Sequence, residues 1–176
     1  LSWNKKAKKR SKKVLVSIFV NPKQFNSKND FKKYPRKLKN DIRILKSIKI
    51  SYLYIPTYKD IYSFKPKTKI YLDNFSKILC GKFRHFHFKG VVNVVNRFLS
   101  IIEPKFIYLG MKDFQQLSLI KSHIIKNKIK TNLVQCSTIR EKNGVAISSR
   151  NTKLNKKQLL KASEIYKFIK YNKKLI

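Results

Sequence analysis

Four short stretches of this chain are apolar with little interruption: 14–20 (VLVSIFV), 50–55 (ISYLYI), 106–109 (FIYL) and 133–137 (LVQCS). Their content of Val, Ile, Tyr and Phe predicts β-strands, and the lack of polar alternation in 14–20 predicts a strand buried on both faces. Between them the apolar positions change period. Leu38, Ile42 and Leu45 recur at i, i+4, i+7, while Val91, Val94, Val95, Phe98, Leu99 and Ile102, and then Phe114, Leu117, Ile120 and Ile124, recur at steps of one, three or four residues. Each set is one stripe of a helix, and each stripe is expected in the core. Pro104 bars continuation of the second helix. A last helix is predicted over 155–169. Strands separated by helices define the α/β class with a parallel sheet. The chain opens on a helix-like basic stretch, whereas a doubly wound sheet would normally offer a strand before it. Asn143-Gly144, between extended residues, predicts a tight hairpin turn with positive φ at both positions.

Composition narrows the function. The 176 residues hold 43 Lys and Arg against 8 Asp and Glu, a formal net charge of +35, yet 42% are hydrophobic, enough for one folded core. Eight carboxylates leave few pairs for a glycosidase dyad or a two-metal site. The lysines run with Asn and Ile along the whole length, as solvated surface positions do, so nucleic-acid binding is expected only in nonspecific form. Residues 5–13 (KKAKKRSKK) precede the apolar run 14–20 but no small-residue cleavage site follows, so a signal peptide is not expected. No stretch approaches 18 apolar residues, which excludes a predicted membrane helix. Two cysteines, Cys80 and Cys136, suit a reducing, cytoplasmic compartment.

The block YLGMKDFQQ (108–116) sits where a strand ends and a helix begins. Open α/β sheets bind ligands at that edge, and a helix amino terminus offers N–H groups to phosphate. Lys112 adds a point charge. A purely structural account competes: Asp113 and Gln116 have the spacing of a capping box. Asn21 and Gln24 follow the first strand and reach the same edge, although Asn21-Pro22 is also a plain turn signal. Ser148, Ser149 and Arg150 follow the hairpin and could hold phosphate oxygens. Cys80, His85 and His87 lack a second closely spaced pair for tetrahedral zinc. No P-loop, dinucleotide turn or nucleophile elbow is present.

In order, VSIFVNPKQF, KYPR, HFKGV, GMKDFQQLSLI and REKNGVAISSRN resemble the pantothenate synthetase (pantoate:β-alanine ligase) family, over about 1–167. The resemblance implies a Rossmann-like nucleotidyltransferase domain of the HIGH superfamily over 1–151, with the start of a carboxyl-terminal domain over 152–176. It implies condensation of pantoate with β-alanine through a pantoyl adenylate, using ATP and Mg2+, in a homodimer. By the same resemblance Gln24 and Gln116 hold pantoate, with Gln24 also near β-alanine. Gly110, Met111, Lys112, Asp113, Ile139, Ile147, Ser148, Ser149 and Arg150 contact ATP, and Lys112 and Asn21 are active-site positions. Asp41 is the candidate Mg2+ carboxylate, and Tyr34, Arg84 and His87 surround the cleft. The family's H-x-G-H signature has no counterpart in the chain, and Met111, Cys80 and the pair His85-Phe86 depart from its pattern. The ligase reading requires Gln24, Lys112 and Arg150 to share one rim. Its rivals are a basic nucleic-acid-binding protein and an inactive remnant of the ligase fold. Without the histidine donors at the developing phosphate charge, the 176 residues alone are expected to form no pantothenate above background from ATP, pantoate and β-alanine; robust turnover in that assay would contradict the reading.

Overall fold

A computed structural model describes residues 2–173. They divide into two compact units, one up to residue 136 and one from residue 137 onward. The first unit runs α1 (Ser2–Arg10), β1 (Leu15–Ser17), α2 (Lys28–Lys32), α3 (Leu38–Ser47), β2 (Tyr52–Tyr54), α4 (Tyr58–Tyr62), α5 (Cys80–Phe83), α6 (His87–Ile102), β3 (Phe106–Gly110), α7 (Phe114–Lys126) and β4 (Asn132–Cys136). Both strand pairs are parallel, Val16 opposite Leu53 in β1–β2 and Tyr108 opposite Val134 in β3–β4. The α/β order with parallel pairing and flanking helices is the one expected from the alternation of strand and helix patterns. Hydrogen bonding groups the strands as two two-stranded sheets.

Every predicted helix forms, with ends set by local chemistry. The α6 helix starts at His87, earlier than its apolar stripe, and ends at Glu103 in the left-handed region (φ 47) ahead of Pro104. The predicted strand 14–20 is reduced to Leu15–Ser17, and Leu15 is 39% exposed rather than buried on both faces. The reason is long-range: β1 and β3 border a common cavity of about 930 Å³ instead of pairing with each other.

The core lies where α6 and α7 pack together against β3 and β4. Val92, Leu119 and Ile120 are completely buried, with Phe88, Val91, Leu99 and Ile124 around them and Ile107, Leu109 and Leu133 closing the sheet side. Each such side chain contributes roughly 1.5–3 kcal/mol through removal of apolar surface from water. Beside it lies a buried polar cluster. His123 Nδ1 accepts from the Tyr71 N–H at 3.2 Å, which leaves the proton on Nε2 to be donated to Asn96 Oδ1 at 3.1 Å. Asn96 Oδ1 also accepts from Thr68 Oγ1, and its Nδ2 donates to the Thr68 carbonyl. Burial lowers the His123 pKa from its ordinary 6.5. A second proton on Nδ1 would face the Tyr71 N–H, donor against donor.

The second unit contains a hairpin and α8 (Lys156–Asn172). The hairpin bridge pairs Arg140 with Ala146. Of the Asn143-Gly144 pair only Gly144 has positive φ (90°), so the tight turn expected there is replaced. Gly144 N–H donates to Glu141 O and Glu141 N–H to Val145 O, a longer turn closed by a left-handed glycine. A β-carbon on Gly144 would strike the Tyr166 ring, so glycine also serves packing there. Arg140 lies 4.1 Å over that ring, and Ser163 Oγ donates to Asn143 O. Asn155 and Gln158 form a reciprocal capping box at the start of α8.

The neutral burial of His123 gives a pH dependence of known sign. The folded-state pKa lies below the unfolded one, so the unfolded chain takes up the proton first as pH falls below 6.5. Stability is full above that value and declines on acidification, so the urea midpoint is expected to be lower at pH 5 than at pH 7.5. His123→Asn is expected to remove this increment; an unchanged slope in the variant would assign it to other groups.

Candidate functional site

The turn after β1 is built on an asparagine that the rest of the unit saturates. Asn21 is 1% exposed, and its Oδ1 accepts from Lys23 N–H and from Tyr62 Oη, at 3.1 and 2.9 Å. Its Nδ2 donates to Gly90 O at 3.0 Å. Both Oδ1 lone pairs and one amide proton are thus committed, and the 3-10 turn Pro22–Gln24 is locked in place. Tyr62 carries Lys23 and Arg97 against its ring, 4.1 and 4.8 Å from the centroid. Burial pushes its phenol up to about 12, against the lowering by Arg97, so it donates to Asn21 across the whole working pH range.

The same turn docks on the amino end of α6. The His87 ring Nδ1 lies 2.7 Å from Gln24 O, and His87 is 6% exposed. A β-carbon at Gly90 would collide with the Lys23 carbonyl and the Gln24 backbone, so only glycine permits this approach. The Gln24 side chain is half-buried, and Tyr34 stacks edge-on against Phe25 at 5.5 Å. Arg84, half-buried, caps α5 just before this contact.

The second half of the site follows β3. Gly110 leads into the 3-10 turn Met111–Asp113 and then into α7. The capping box expected of Asp113 and Gln116 is not formed, because Asp113 makes no side-chain cap. Its carboxylate lies 3.9 Å from the Lys112 ammonium, both largely at the surface. An exposed pair of this kind is weak, at most about 1 kcal/mol, so Lys112 is available to an anion. Met111 is 42% exposed. Gln116 is half-buried, whereas the neighbouring Gln115 is the buried amide. Its Nε2 donates to Phe75 O and Ile78 O at 2.6 and 2.7 Å, and its Oε1 accepts from Cys80 N–H. Gln115 therefore ties the segment 73–80 to the start of α7, a role the sequence reading missed; two adjacent glutamines on a helix start were the available signal. A β-carbon on Gly110 would strike the Trp3 indole, which lays α1 across the carboxyl end of β3.

The α6 helix turns tightly into β3 through residues 103–105, so its amino end lies at the carboxyl end of β3. The Gln24 turn and the Lys112 stretch consequently stand at the same end of the first unit, where parallel sheets present ligand sites. In the second unit, Ile139 and Ile147 are joined by a backbone hydrogen bond of 3.0 Å across the hairpin. Ser148 caps the turn Ser149–Lys153 by accepting from Arg150 N–H at 3.2 Å. Asp41 lies in the first turn of α3, half-buried. Among the described residues no three His, Cys, Asp or Glu side chains gather.

Parallel strand pairs alternating with flanking helices define the first unit as Rossmann-like α/β. The chain belongs to the pantoate-beta-alanine ligase family, whose profile matches residues 1–174. It is 38% identical to the pantothenate synthetase of Thermodesulfovibrio yellowstonii over 176 residues, all of this chain and 63% of that protein. The pantothenate synthetase of Francisella tularensis subsp. novicida is 41% identical over 97% of the chain and 66% of its own length. The crystal structure of the Francisella tularensis ligase, complexed with beta-gamma ATP and beta-alanine, superposes with a TM-score of 0.84 at 41% identity, covering 94% of this chain and 64% of that one. The Thermus thermophilus enzyme gives 0.88 at 31% identity, over 94% and 60%. The chain thus spans about 63% of the length of the first of these relatives.

Gly90→Ala is expected to shift the Pro22–Gln24 turn and lower stability by about 1–3 kcal/mol, as overpacking against backbone does. Chemical denaturation together with amide shifts of Lys23 and Gln24 checks this; an unmoved turn at wild-type stability would show that the approach tolerates a methyl group.

Proposed function

We propose that this chain is the nucleotide- and pantoate-binding part of a pantoate:β-alanine ligase. The observation that carries the proposal is the lysine-bearing turn Met111–Asp113 between β3 and α7, standing at the same end as the Gln24 turn. In the reaction the pantoate carboxylate attacks the α-phosphorus of ATP, releasing pyrophosphate and leaving pantoyl adenylate. The β-alanine amine then attacks the acyl carbon, AMP leaves with the bonding pair, and the amine loses a proton. Gln24 and Gln116 orient pantoate by amide hydrogen bonds. Lys112 and the N–H groups at the start of α7 stabilise charge gathering on the phosphates, fixed donors that need no reorganisation at the transition state. Gly110, Met111 and Asp113 border the nucleotide, and the family resemblance makes Ile139, Ile147, Ser148, Ser149 and Arg150 nucleotide contacts as well. Asn21 positions Gln24.

Asp41, a half-buried carboxylate in the first turn of α3, would be the protein ligand to Mg2+, which commonly takes one or two carboxylates beside substrate phosphates. The metal neutralises phosphate charge when bound. We assign residues 1–151 to the nucleotide-binding domain and 152–176 to the start of a second one, in a homodimer working where ATP and reduced thiols are abundant. Among the described residues no helix is long and apolar enough to cross a membrane.

Calorimetric titration with ATP tests the reading directly. Binding is expected, weakened at least about tenfold, or 1.4 kcal/mol, in Lys112→Ala with an unchanged melting curve. In a protein of the relatives' full length, the same variant is expected to slow pantoate-dependent exchange of pyrophosphate into ATP by roughly 10² to 10³. ATP binding that ignores Lys112 would sink the assignment of that residue. Structured RNA binding at physiological salt with no ATP binding would favour the reading that the +35 charge supports, a basic nucleic-acid-binding protein.

A further inference from the structure

The Pro22–Gln24 turn is held from two directions. From the α6 side, Gly90 O takes the Asn21 amide and the His87 ring meets Gln24 O. From the α4 side the contact is made by Tyr62, whose hydroxyl donates to Asn21 Oδ1 at 2.9 Å while its ring carries the Lys23 ammonium at 4.1 Å.

Tyr62 is itself fixed at both ends of its short helix. Thr57 and Asp60 cap the start of α4 reciprocally, and Ile61 is completely buried. Arg97 Nη1 donates to the carbonyls of Ile61 and Phe64, on either side of Tyr62, at 3.0 and 2.5 Å. Arg97 Nε donates to Asn93 Oδ1 at 3.0 Å, so the guanidinium is oriented by the helix that bears it. A chain of contacts thus runs from α6 through Arg97 and Tyr62 to Asn21.

The ring and the hydroxyl of Tyr62 have separate partners. The ring packs against Lys23 and Arg97, contacts that a phenylalanine would keep. The hydroxyl reaches Asn21, and its high pKa keeps the proton there to be donated. Asn21 Oδ1 receives Lys23 N–H and Tyr62 Oη while Nδ2 faces Gly90 O, so one orientation of the amide satisfies all three. Asn21 in turn caps the turn through Lys23 N–H, and its main-chain oxygen accepts from Gln24 N–H at 3.4 Å. Without the Tyr62 hydroxyl, this buried oxygen would keep a single donor, drawn from the very backbone that must place Gln24.

We infer that Tyr62 is a positioning residue for pantoate: its hydroxyl, held in place through Arg97, sets the Asn21 amide and thereby the direction from which the Gln24 side chain meets the substrate. The inference rests on the reading of Gln24 as a pantoate ligand. Lys112 is placed by β3 and α7 instead, so the nucleotide contacts are expected to be indifferent to this hydroxyl.

Tyr62→Phe in the 176-residue chain, titrated calorimetrically with pantoate and separately with ATP, tests the role. Pantoate affinity is expected to fall about three- to tenfold, as the loss of one hydrogen bond does. ATP affinity and the melting curve are expected to stay unchanged, and the Lys23 and Gln24 amide resonances to move. Arg97→Lys keeps the charge and loses the planar fork, and is expected to weaken pantoate binding as well. The two substitutions combined are expected to cost little more than Tyr62→Phe alone, since both act through Asn21. Equal loss of pantoate and ATP affinity would make Tyr62 a general stabiliser, and unchanged pantoate affinity would show that the turn is set without it; either result overturns the inference. An unsubstituted chain that binds ATP but not pantoate overturns the assignment of Gln24, and the inference with it, before any substitution is made.

Discussion

The α6 helix is the member on which the rest of the first unit bears. Its apolar side chains wrap most of its circumference, so it cannot lie on a surface; Val91, Val92 and Leu99 go into the α7 interface while Phe98 meets Phe19 and Tyr54 edge-on beneath the first sheet. One helix thus belongs to the packing of both sheets. Its amino end also shapes the site, because His87 and Gly90 receive the Pro22–Gln24 turn at van der Waals and hydrogen-bond distance. A site residue on a loop is precise only when the loop is over-determined by its neighbours, and this loop is held by backbone contact, an amide and an imidazole together.

Charge plays a secondary part in the fold. Among the described residues the buried polar side chains are amides, hydroxyls and imidazoles rather than carboxylates or ammonium groups, among them Asn21, Asn96, Gln115 and His123. Neutral groups can be satisfied by protein partners without the desolvation cost of an ion. The excess of lysine lies on surfaces, where it governs solubility and nonspecific attraction. Glu103 shows the limit of its local influence: pairing with Lys67 lowers its pKa, yet both groups are exposed. Lys112 differs from the other lysines by position, since it stands where a strand ends and a helix begins.

Much of the fold and part of the site were legible in the sequence. Periods of 3.6 residues located α3, α6, α7 and α8, and β-rich runs located the four strands and their parallel order, because those signals act within one turn or one strand. The motif order also pointed to Gln24 and Lys112 at strand ends. What sequence could not yield were the long-range partners. The Asp113 cap failed to form, the Asn143-Gly144 turn lengthened, and the buried amide after β3 proved to be Gln115.

The chain's own letters determined its secondary elements and their α/β alternation, since local backbone preference and apolar periodicity are properties of neighbouring residues. Tertiary structure alone decided which amides were spent on the fold. Asn21 meets Tyr62 across 41 residues and Gln115 meets Phe75 across 40. Satisfaction of a buried polar group depends on who arrives from such distances, and no local pattern encodes it.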